Sequence, residues 1–529
     1  MPLFKYETWP GGHDSNGTIF NAWSMVETLR KDFHLPLLWQ ADNCGFKGNP
    51  YWAFYQPFSC FVIYLISLLA STVQDNYFFP SMKWAVYASF LISEITMFFL
   101  LKTISKDSEI KNLVSGYGAL IYLLAPYRFI DLYSRNAYAE LWVFPWMPLY
   151  LLGFYKLFFS KELSGWYLIA ISTPLLFFSH LMPSFFFILI VHLGFLLSLL
   201  FQKRFFLFIN QNLHIIFWWF ISNVIGIILS SFYVFPAINV VKSINGDIIG
   251  FDRVSLGNVL EHISWCYAML DLSNFKGAWQ VGQLYLLSFV VLIFLIFFTK
   301  RTMQHKDFII FLCMSTLVTF IFLMSRTLWE HLPKVLYSLQ FSWRLFTAYS
   351  FLCSVIVALL VNELKIKIPI LILLLLFHFY TGERFLHYGS EDVVAKHFDA
   401  ESWLNGHYRQ NYTTLNNYSP HSILPKTSEP VFFSFDHADE IGTNEKFSNT
   451  YLLNLKPGVN ILSYEHRGNT FVYELLLDNP AFIIFKQYFY PTWELYIDLK
   501  RSKNLYLTDF GYVGFEVPTG RHIIRLRSN

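Results

Sequence analysis

Long apolar runs occupy most of the chain between residues 54 and 380, and short polar stretches separate them. Most of the runs approach the roughly 20 residues that an α-helix needs to cross a bilayer. The runs are 54–72, 80–101, 112–126, 139–158, 166–180, 184–201, 213–236, 283–299, 307–325, 343–362 and 366–380. The pattern predicts a mostly α-helical, multipass transmembrane bundle over residues 54–382, with about ten spanning helices.

The first 53 residues follow a different pattern. Apolar side chains recur at nearly helical spacing between Asp14 and Lys31, which predicts an amphipathic helix there. Proline and glycine then predict a loop up to Asn49-Pro50. Residues 1–53 are therefore predicted to form a polar segment ahead of the bundle.

In the tail, residues 383–529, the apolar positions recur with a period of two. Segments such as Val431–Phe435, Thr470–Leu475 and His522–Leu526 alternate between apolar and polar positions, and turn signals such as Arg467-Gly468-Asn469 separate them. Regular short strands of this kind predict an all-β sandwich of antiparallel strands. The corner at 490–493 is expected to pack its aromatic side chains into that core.

Basic residues at every second junction between the apolar runs predict the orientation of the bundle in the membrane. Lysine and arginine collect in one set of short connections, which the positive-inside rule places in the cytoplasm. The longer loops, including 127–138 and 326–342, and the tail then lie outside. We interpret 54–72 as an interfacial helix, so residues 1–53 form the first outer loop, and this interpretation implies a spanning helix ahead of residue 1. The alternative is a cytoplasmic N-terminus with 54–72 crossing.

Composition supports a membrane protein and excludes other classes. The chain is 55% hydrophobic and 14% charged, whereas a soluble domain carries about 25% charged residues. The net charge of +3 includes no basic tract, so no nucleic-acid partner is expected. The five cysteines form no metal-binding spacing.

Asp14, in the segment Gly11-Gly12-His13-Asp14, is the first candidate for chemistry. The glycines allow the backbone to place the carboxylate freely, so that it could act as a general base. The alternative is a helix N-cap without chemistry, which is the commoner role for such an aspartate.

The connector 126–140 is the second candidate. It contains Arg128, Asp131, Tyr133, Arg135 and Glu140. Arginine side chains can bind phosphate oxygens bidentately, which predicts a substrate site. The alternative is a set of interfacial anchors with internal pairs such as Arg135 with Glu140.

Two further side chains lie at the predicted outer ends of helices. His180 could bind substrate or close a turn, and Arg344 could join the other arginines around an anion or extend to the interface. Convergence of these loops on one membrane face would define a site.

Several motifs in this order resemble a known family. They are Gly11–Asp14, Leu35-Pro36 to Trp39, Asn49-Pro50 to Pro57, Leu132–Glu140, Ser179-His180 and Phe341–Arg344. Together they resemble the bacterial membrane proteins named 6-pyruvoyl-tetrahydropterin synthase-related, which are similar to GT-C glycosyltransferases. The tail around Tyr490–Glu494 and Val517–His522 resembles the extracytoplasmic β-domain of YfhO-type proteins. No His-x-His pair occurs, so the zinc chemistry of the soluble synthase is not expected.

The resemblance implies a GT-C-like fold and an integral protein of the bacterial inner membrane. It implies Asp14 as the catalytic base and a polyprenyl-phosphate-linked sugar as donor. His13, Arg128, Asp131, Tyr133, Arg135, Glu140, His180 and Arg344 would then bind substrate. No cofactor is certain, and a divalent cation (Mg or Mn) is left open.

Two functions of different classes follow from these observations. The first is transfer of a sugar from the lipid carrier to an extracytoplasmic acceptor. The second is a non-catalytic scaffold that handles an envelope polymer through the β-domain. A transporter is a weaker third hypothesis, because few charged residues lie in the middle of the apolar runs.

Overall fold

The computed structural model describes residues 8–10, 12, 14–41, 48, 50–54, 57–72, 77–106, 108–242, 256–267, 282–298, 305–383, 393–394, 452–453, 458–490, 492–508 and 512–528. The chain divides into two compact units. The bundle unit comprises residues 1–20, 56–230 and 253–396, and the β unit comprises residues 21–55, 231–252 and 397–529. The predicted strand Val431–Phe435 and the candidate His13 lie outside the described residues.

Helices make up most of the described chain. The first are α1 Ser15–Lys31, α2 Tyr51–Phe54, α3 Phe58–Ala70, α4 Phe78–Ile104, α5 Lys111–Leu123, α6 Pro126–Phe129, α7 Tyr138–Leu141, α8 Trp146–Phe158 and α9 Gly165–Ser179. The others are α10 Leu181–Phe201, α11 Phe205–Gln211, α12 Leu213–Lys242, α13 Leu256–Tyr267, α14 Gln283–Phe298, α15 Lys306–Met324, α16 Arg326–His331, α17 Phe346–Leu364 and α18 Ile368–Glu383. A π-helix covers Ile130–Arg135, and 3₁₀ turns cover Lys334–Leu339 and Ser342–Leu345.

Seven helical spans among the described residues are long and apolar enough to cross a membrane, by length and composition. They are Phe78–Ile104, Lys111–Arg135, Tyr138–Phe158, Leu181–Phe201, Leu213–Pro236, Lys306–Met324 and Ser342–Leu364. Shorter apolar helices fall on other predicted runs, at Phe58–Ala70, Gly165–Ser179, Gln283–Ile296 and Ile368–Thr381. The mostly helical architecture is thus confirmed, and the total of about ten crossings stays a prediction.

Helix α17 forms the centre of the bundle unit. Its apolar window is wholly buried, and it packs against α5, α14 and α15. The Phe351 ring lies 5.6 Å from the rings of both Tyr122 and Phe187. In addition, the hydroxyls of Tyr285 and Ser354 share a hydrogen bond of 2.8 Å. The bundle is therefore organised around a helix that contacts protein on every side.

Antiparallel strands form the C-terminal part of the β unit, as predicted. The strands of the whole described chain are β1 Thr8–Trp9, β2 Val393–Val394, β3 Leu452–Leu453, β4 Val459–Arg467, β5 Thr470–Leu477, β6 Ala481–Tyr488, β7 Trp493–Ile497, β8 Lys500–Ser502, β9 Leu505–Leu507, β10 Tyr512–Val517 and β11 Gly520–Ser528. One sheet has the order β3-β6-β10-β9 and the other β4-β5-β11-β7-β8, while β1 pairs with β2 in the bundle unit.

Aromatic side chains join the two sheets of the β unit. The ring of Phe485, from the four-stranded sheet, lies 4.8 Å from Phe471 and 5.2 Å from Trp493, both from the five-stranded sheet. Trp493 is buried, and its indole N–H donates to the carbonyl of Tyr488 over 3.0 Å. The predicted role of this corner in core packing is therefore confirmed.

Residues 21–55 belong to the same compact unit as the sheets. The indole N–H of Trp39 donates to Gln487 over 2.9 Å, and the amide of Asn469 donates to the Trp39 carbonyl over 2.8 Å. The Trp39 ring also lies 5.0 Å from Tyr490. Trp39, which lies in the predicted loop, thus packs within the β unit, whereas the sequence placed residues 1–53 and 383–529 in separate domains.

Candidate functional site

The π-helix Ile130–Arg135 positions the main candidate residues. It continues α6 directly, and it ends at Asn136, whose φ of 63° lies in the left-handed region. Asparagine is one of the few residues that adopts this conformation readily. A π-turn widens the helix by one residue and is frequent at functional sites. Here it carries Asp131 and Arg135 into the interior of the bundle unit, where both are buried.

Arg135 is the centre of a buried ionic network. One of its terminal nitrogens donates to Asp131 and to Glu140, each over 2.6 Å, and to the hydroxyl of Tyr127 over 3.0 Å. Glu140 also accepts from Tyr127 over 2.9 Å and from Thr347 over 3.2 Å. The pair of Arg135 with Glu140 is the one that the sequence suggested. Two carboxyl groups thus share one guanidinium in this network.

Arg344 lies near this network, but its hydrogen-bond partners differ from those of Arg135. Its guanidinium donates to the carbonyl of Leu339 over 2.9 Å and to the side-chain oxygen of Gln340 over 3.2 Å. Both acceptors are neutral, and within the described chain no carboxylate forms a salt bridge with Arg344. Arg344 is close enough to Asp131 and His180 to interact with both electrostatically. It is therefore the cation at this site with the most capacity for an anion.

His180 lies between α9 and α10 with an extended backbone, where its amide and carbonyl join the two helices. It therefore does close a turn, one of the two predicted roles. The side chain is buried, and burial together with the charges of Arg344 and Arg135 holds its pKa well below the ordinary 6.5. The imidazole is neutral at pH 7, so it can donate or accept a hydrogen bond but supplies no positive charge.

Three polar atoms of these residues have no hydrogen-bond partner among the residues that the structure describes. They are one carboxylate oxygen of Asp131, Nδ1 of His180 and Nε of Arg344. A buried polar group without a partner is costly, and each such group in a native structure needs an explanation. Together they supply an acceptor, an imidazole nitrogen and a cationic donor, which is a set suited to a polar ligand.

Asp14 lies beside this cluster through a backbone contact. Its amide donates to the carbonyl of Arg135 over 2.9 Å, and its own carbonyl accepts the amide of Thr18 as α1 begins. Gly12 approaches so closely that a Cβ there would lie 3.0 Å from the carbonyl oxygen of Ser134. The Asp14 side chain is exposed. Among the described residues it makes no hydrogen bond, so it does not serve the helix amides as an N-cap would.

Asn136 fastens the N-terminal segment to the π-helix. Its side-chain oxygen accepts from the indole of Trp9 over 2.8 Å, and its side-chain nitrogen donates to the carbonyls of Pro10 (2.9 Å) and Leu132 (3.2 Å). Its own carbonyl accepts from Thr18 over 2.8 Å. These contacts bracket Asp14 on both sides along the chain. Asn136 thus determines where the carboxylate lies relative to Arg135.

Arg128 and Tyr133 occupy other surroundings. The Arg128 guanidinium is fully buried, lies 3.8 Å from the centre of the Phe90 ring and donates to the carbonyl of Ser89 over 3.1 Å. Tyr133 is buried within the π-helix. The structure thus gathers Asp14, Asp131, Arg135, Glu140, His180 and Arg344 in one region, while Arg128 packs among aromatic rings. The binding roles of all these residues stay predictions.

Sequence analysis did not single out Asn136, Trp9, Tyr127 or Thr347. The role of Asn136 could have been predicted from the sequence, because asparagine after a helical segment often adopts the left-handed conformation that ends the helix. No sequence pattern predicts the contacts of Trp9 and Thr347, since their partners lie more than a hundred residues away along the chain.

Metal ligands are not clustered in the part of the chain that the structure covers. No group of three or more histidine, cysteine, aspartate or glutamate side chains there could hold a metal ion. The expectation of an optional divalent cation therefore gains no support from the described residues.

Comparison with known proteins finds no relative of this chain. No family model matches the chain, and no curated protein or solved structure is significantly similar to it. The argument on function thus rests on the residues and on their geometry.

Proposed function

We propose that the protein is a membrane glycosyltransferase of GT-C type, which moves a sugar from a polyprenyl-phosphate carrier to an acceptor outside the cell membrane. Asp14 is the general base, and Arg344 binds the phosphate of the carrier. The observation that supports the proposal is the hydrogen bond from the Asp14 amide to the Arg135 carbonyl, which holds the backbone of Asp14 next to a buried cluster with unsatisfied polar atoms. The Asp14 side chain is exposed and forms no salt bridge with any residue that the structure describes.

The chemistry follows from these groups. The Asp14 carboxylate takes the proton of the acceptor hydroxyl, whose oxygen forms a bond to the anomeric carbon of the sugar. The bond between that carbon and the phosphate oxygen breaks, and the phosphate leaves with the electron pair. Phosphate is a good leaving group, so it needs charge stabilisation rather than a strong acid. Arg344 can supply this charge because its present partners are neutral.

Arg135 has a positioning role in this proposal. Two carboxylates already neutralise its charge, so it contributes little to holding a phosphate. Its backbone carbonyl holds Asp14, and its side chain fixes the π-helix from within. Asp131 accepts a hydrogen bond from a sugar hydroxyl through its second carboxylate oxygen, and His180 presents Nδ1 to the sugar or to the phosphate.

The proposed location is the bacterial inner membrane, with the seven long apolar helices in lipid and the β unit extracytoplasmic. The helices support the first part by length and composition. The positive-inside pattern of the sequence supports the second.

The test is sugar transfer by the purified full chain, with radiolabelled polyprenyl-phosphate monosaccharides as donors. We expect Asp14→Asn to lower kcat by about 10²–10⁴-fold with little change in KM, as for loss of a general base. Asp307→Asn is the matched control, because Asp307 is an exposed aspartate of the same unit that pairs with Arg204. Unchanged turnover of Asp14→Asn in a transfer-active protein would exclude Asp14 as the base.

A non-catalytic envelope scaffold is the second candidate. The observation in its favour is that the strongest charges of the cluster, Arg135, Asp131 and Glu140, satisfy one another, as in a structural network. This alternative predicts that removal of residues 397–529 abolishes the cellular phenotype while Asp14→Asn has no effect. The transferase predicts a phenotype for Asp14→Asn in a chain that is otherwise intact.

A further inference from the structure

An apolar cavity of about 130 Å³ lies between three helices of the bundle unit, α10, α14 and α15. Its lining includes Phe201 of α10, Phe289 and Ile293 of α14, and Ile310, Cys313 and Leu317 of α15. Each side chain that lines the cavity is apolar, which favours a hydrocarbon over a polar ligand. An apolar cavity of roughly 150 Å³ is large enough to bind benzene. The volume therefore suits a segment of an acyl chain.

The cavity opens at the side of the bundle unit. Its floor is buried, since Ile310, Cys313 and Phe289 are no more than 8% exposed. Its rim is not, since Phe201 is 50% and Leu317 39% exposed. Both α10 and α15 are long and apolar enough to cross a membrane. In a bilayer the rim therefore meets lipid chains, and one of them can enter the cavity without crossing water.

Basic side chains lie at the end of the helices where the cavity begins. The Arg204 guanidinium lies 3.0 Å from the carboxylate of Asp307, and this pair joins the end of α10 to the start of α15. Lys203 and Lys306 directly precede the two members of the pair in sequence. Both lysines are exposed, and neither forms a salt bridge with any residue that the structure describes. Three basic side chains and one acidic side chain leave two positive charges without a carboxylate partner.

Lys306 lies on the face of α15 that lines the cavity. Ile310, Cys313, Met314 and Leu317 follow it at helical spacing along this face. From Ile310 to Leu317 the cavity extends for about 10 Å along the helix. Side chains of a helix are tilted towards its N-terminus, so the Lys306 ammonium extends beyond the end of the cavity. A cation at the end of an apolar cavity matches a lipid phosphate that is joined to an acyl chain.

We propose that the cavity binds one acyl chain of an anionic phospholipid, whose phosphate contacts Lys306 and Lys203. This lipid is a different molecule from the proposed sugar carrier. His180, which interacts electrostatically with Arg344, precedes α10, whereas Phe201 ends the helix about 30 Å away. The lipid site is thus at the other end of α10 from the proposed transferase site, and it is independent of the transferase activity.

The test is native mass spectrometry of the full chain, purified in detergent, freed of lipid and titrated with a phospholipid. The two probes are palmitoyl-oleoyl phosphatidylglycerol and palmitoyl-oleoyl phosphatidylcholine. They have the same chains, so a difference between them reports the headgroup. We expect one phosphatidylglycerol per chain to bind ahead of further lipids, and phosphatidylcholine to bind the same site more weakly.

The charge of the site is tested by single lysine substitutions at the surface, which do not endanger the fold. Lys306→Gln and Lys203→Gln should each lower the affinity for the first phosphatidylglycerol by about fivefold, the contribution of one basic residue beside an anionic lipid. The affinity for phosphatidylcholine should not change. Lys102→Gln is the matched control, because Lys102 is an exposed lysine in the last turn of α4, another helix of the same unit.

The cavity itself is tested by filling it. In Met314→Trp the indole occupies the space of the acyl chain, so the preferential first lipid should be lost. Ile321→Trp is the matched control, because Ile321 lies on the same helix, is 42% exposed and does not line the cavity. Phosphatidylglycerol should raise the unfolding temperature of the natural protein and of Ile321→Trp, since a ligand stabilises the state that binds it. It should not raise that of Met314→Trp.

Three outcomes would overturn the proposal. The first is equal affinity of the natural protein for the two lipids. The second is a preferential first phosphatidylglycerol that Met314→Trp retains. The third is an equal loss of affinity in Lys102→Gln and Lys306→Gln, which would mean that anionic lipids bind over the whole basic end of the bundle rather than at this cavity.

Discussion

Two arginine–glutamate pairs of nearly equal length lie in opposite surroundings. Arg135 and Glu140 are 2.6 Å apart in the bundle unit, with side chains 7% and 0% exposed. Arg521 and Glu474 are 2.5 Å apart on the β unit, with side chains 67% and 24% exposed. The same chemistry has different consequences, because burial removes water as an alternative partner. Water replaces the exposed pair at little cost, whereas nothing replaces the buried one.

The largest expected effect comes from removing the buried cation. Arg135→Met leaves the Asp131 and Glu140 carboxylates buried without a counter-charge, and loss of one partner from such a network costs about 3–5 kcal/mol. Unfolding of the detergent-solubilised chain, followed by tryptophan fluorescence, measures the effect. The triple variant Arg135→Met/Asp131→Asn/Glu140→Gln carries no charge there and should recover much of the stability. Failure of this rescue would show that shape, not charge, sets the requirement for Arg135.

Asn136→Gly is the neutral counterpart and should have an intermediate effect. Glycine keeps the positive φ, but the indole of Trp9 and the carbonyl of Pro10 lose their partner, which costs about 1–3 kcal/mol for a buried group. Hydrogen exchange of residues 9–18 should accelerate, while exchange in the β unit should not change. Uniform acceleration across the chain would mean that Asn136 supports the whole fold rather than the position of Asp14.

The exposed pair should matter much less. Arg521→Gln removes the salt bridge with Glu474 and is expected to cost less than about 1 kcal/mol, as is typical for surface ion pairs. Raising the salt concentration should reduce even this difference, because ions screen exposed charges. A cost comparable to that of Arg135→Met would contradict the comparison between the two regions.

The smallest expected effect is the pH dependence of the exposed pair His522–Asp498. Their hydrogen bond raises the pKa of His522 above 6.5 and, with the Ile523 amide, lowers the pKa of Asp498 below 3.8. The histidine contribution is complete below pH 6.5 and is lost as pH rises through the raised pKa. The aspartate contribution is complete above pH 3.8 and is lost as pH falls through the lowered pKa.

The pair therefore stabilises the protein most between about pH 4 and 6.5. The difference in unfolding free energy between the natural protein and His522→Gln should be largest near pH 5, and it should shrink above pH 7. The pair lies at the surface, with the Asp498 side chain 49% exposed and that of His522 15% exposed. Solvent screens the interaction, so the difference should stay below about 1 kcal/mol. A difference that grows with rising pH would show that His522 acts as a neutral side chain.

Much of the fold was predictable because it rests on local periodicity. The helix Ser15–Lys31, the apolar spans and the strands Thr470–Leu477 and Gly520–Ser528 all follow repeats that a short window reveals. The grouping of Trp39 with Gln487 was not predictable, because a single hydrogen bond between distant residues leaves no periodic trace.

The sequence predicts which residues form the candidate site better than it predicts how these residues are arranged. The density of charges between Pro126 and Glu140 identified Arg135 and Glu140, and a buried pair follows from the cost of isolated charge. The π-turn that orients them could not be foreseen, since every residue of Ile130–Arg135 is buried and the segment has no one-sided apolar pattern that would reveal its period. The contact of Asp14 with the Arg135 carbonyl also involves only backbone atoms, which every sequence has.

The central position of α17 has a consequence for biosynthesis. This helix, Phe346–Leu364, contacts α5, which the ribosome completes more than two hundred residues earlier. The helices that are synthesised first therefore lack their central packing partner until α17 is made. Chains interrupted before residue 346 lack the helix that covers α5, α14 and α15. We expect such chains to be degraded faster than the full chain.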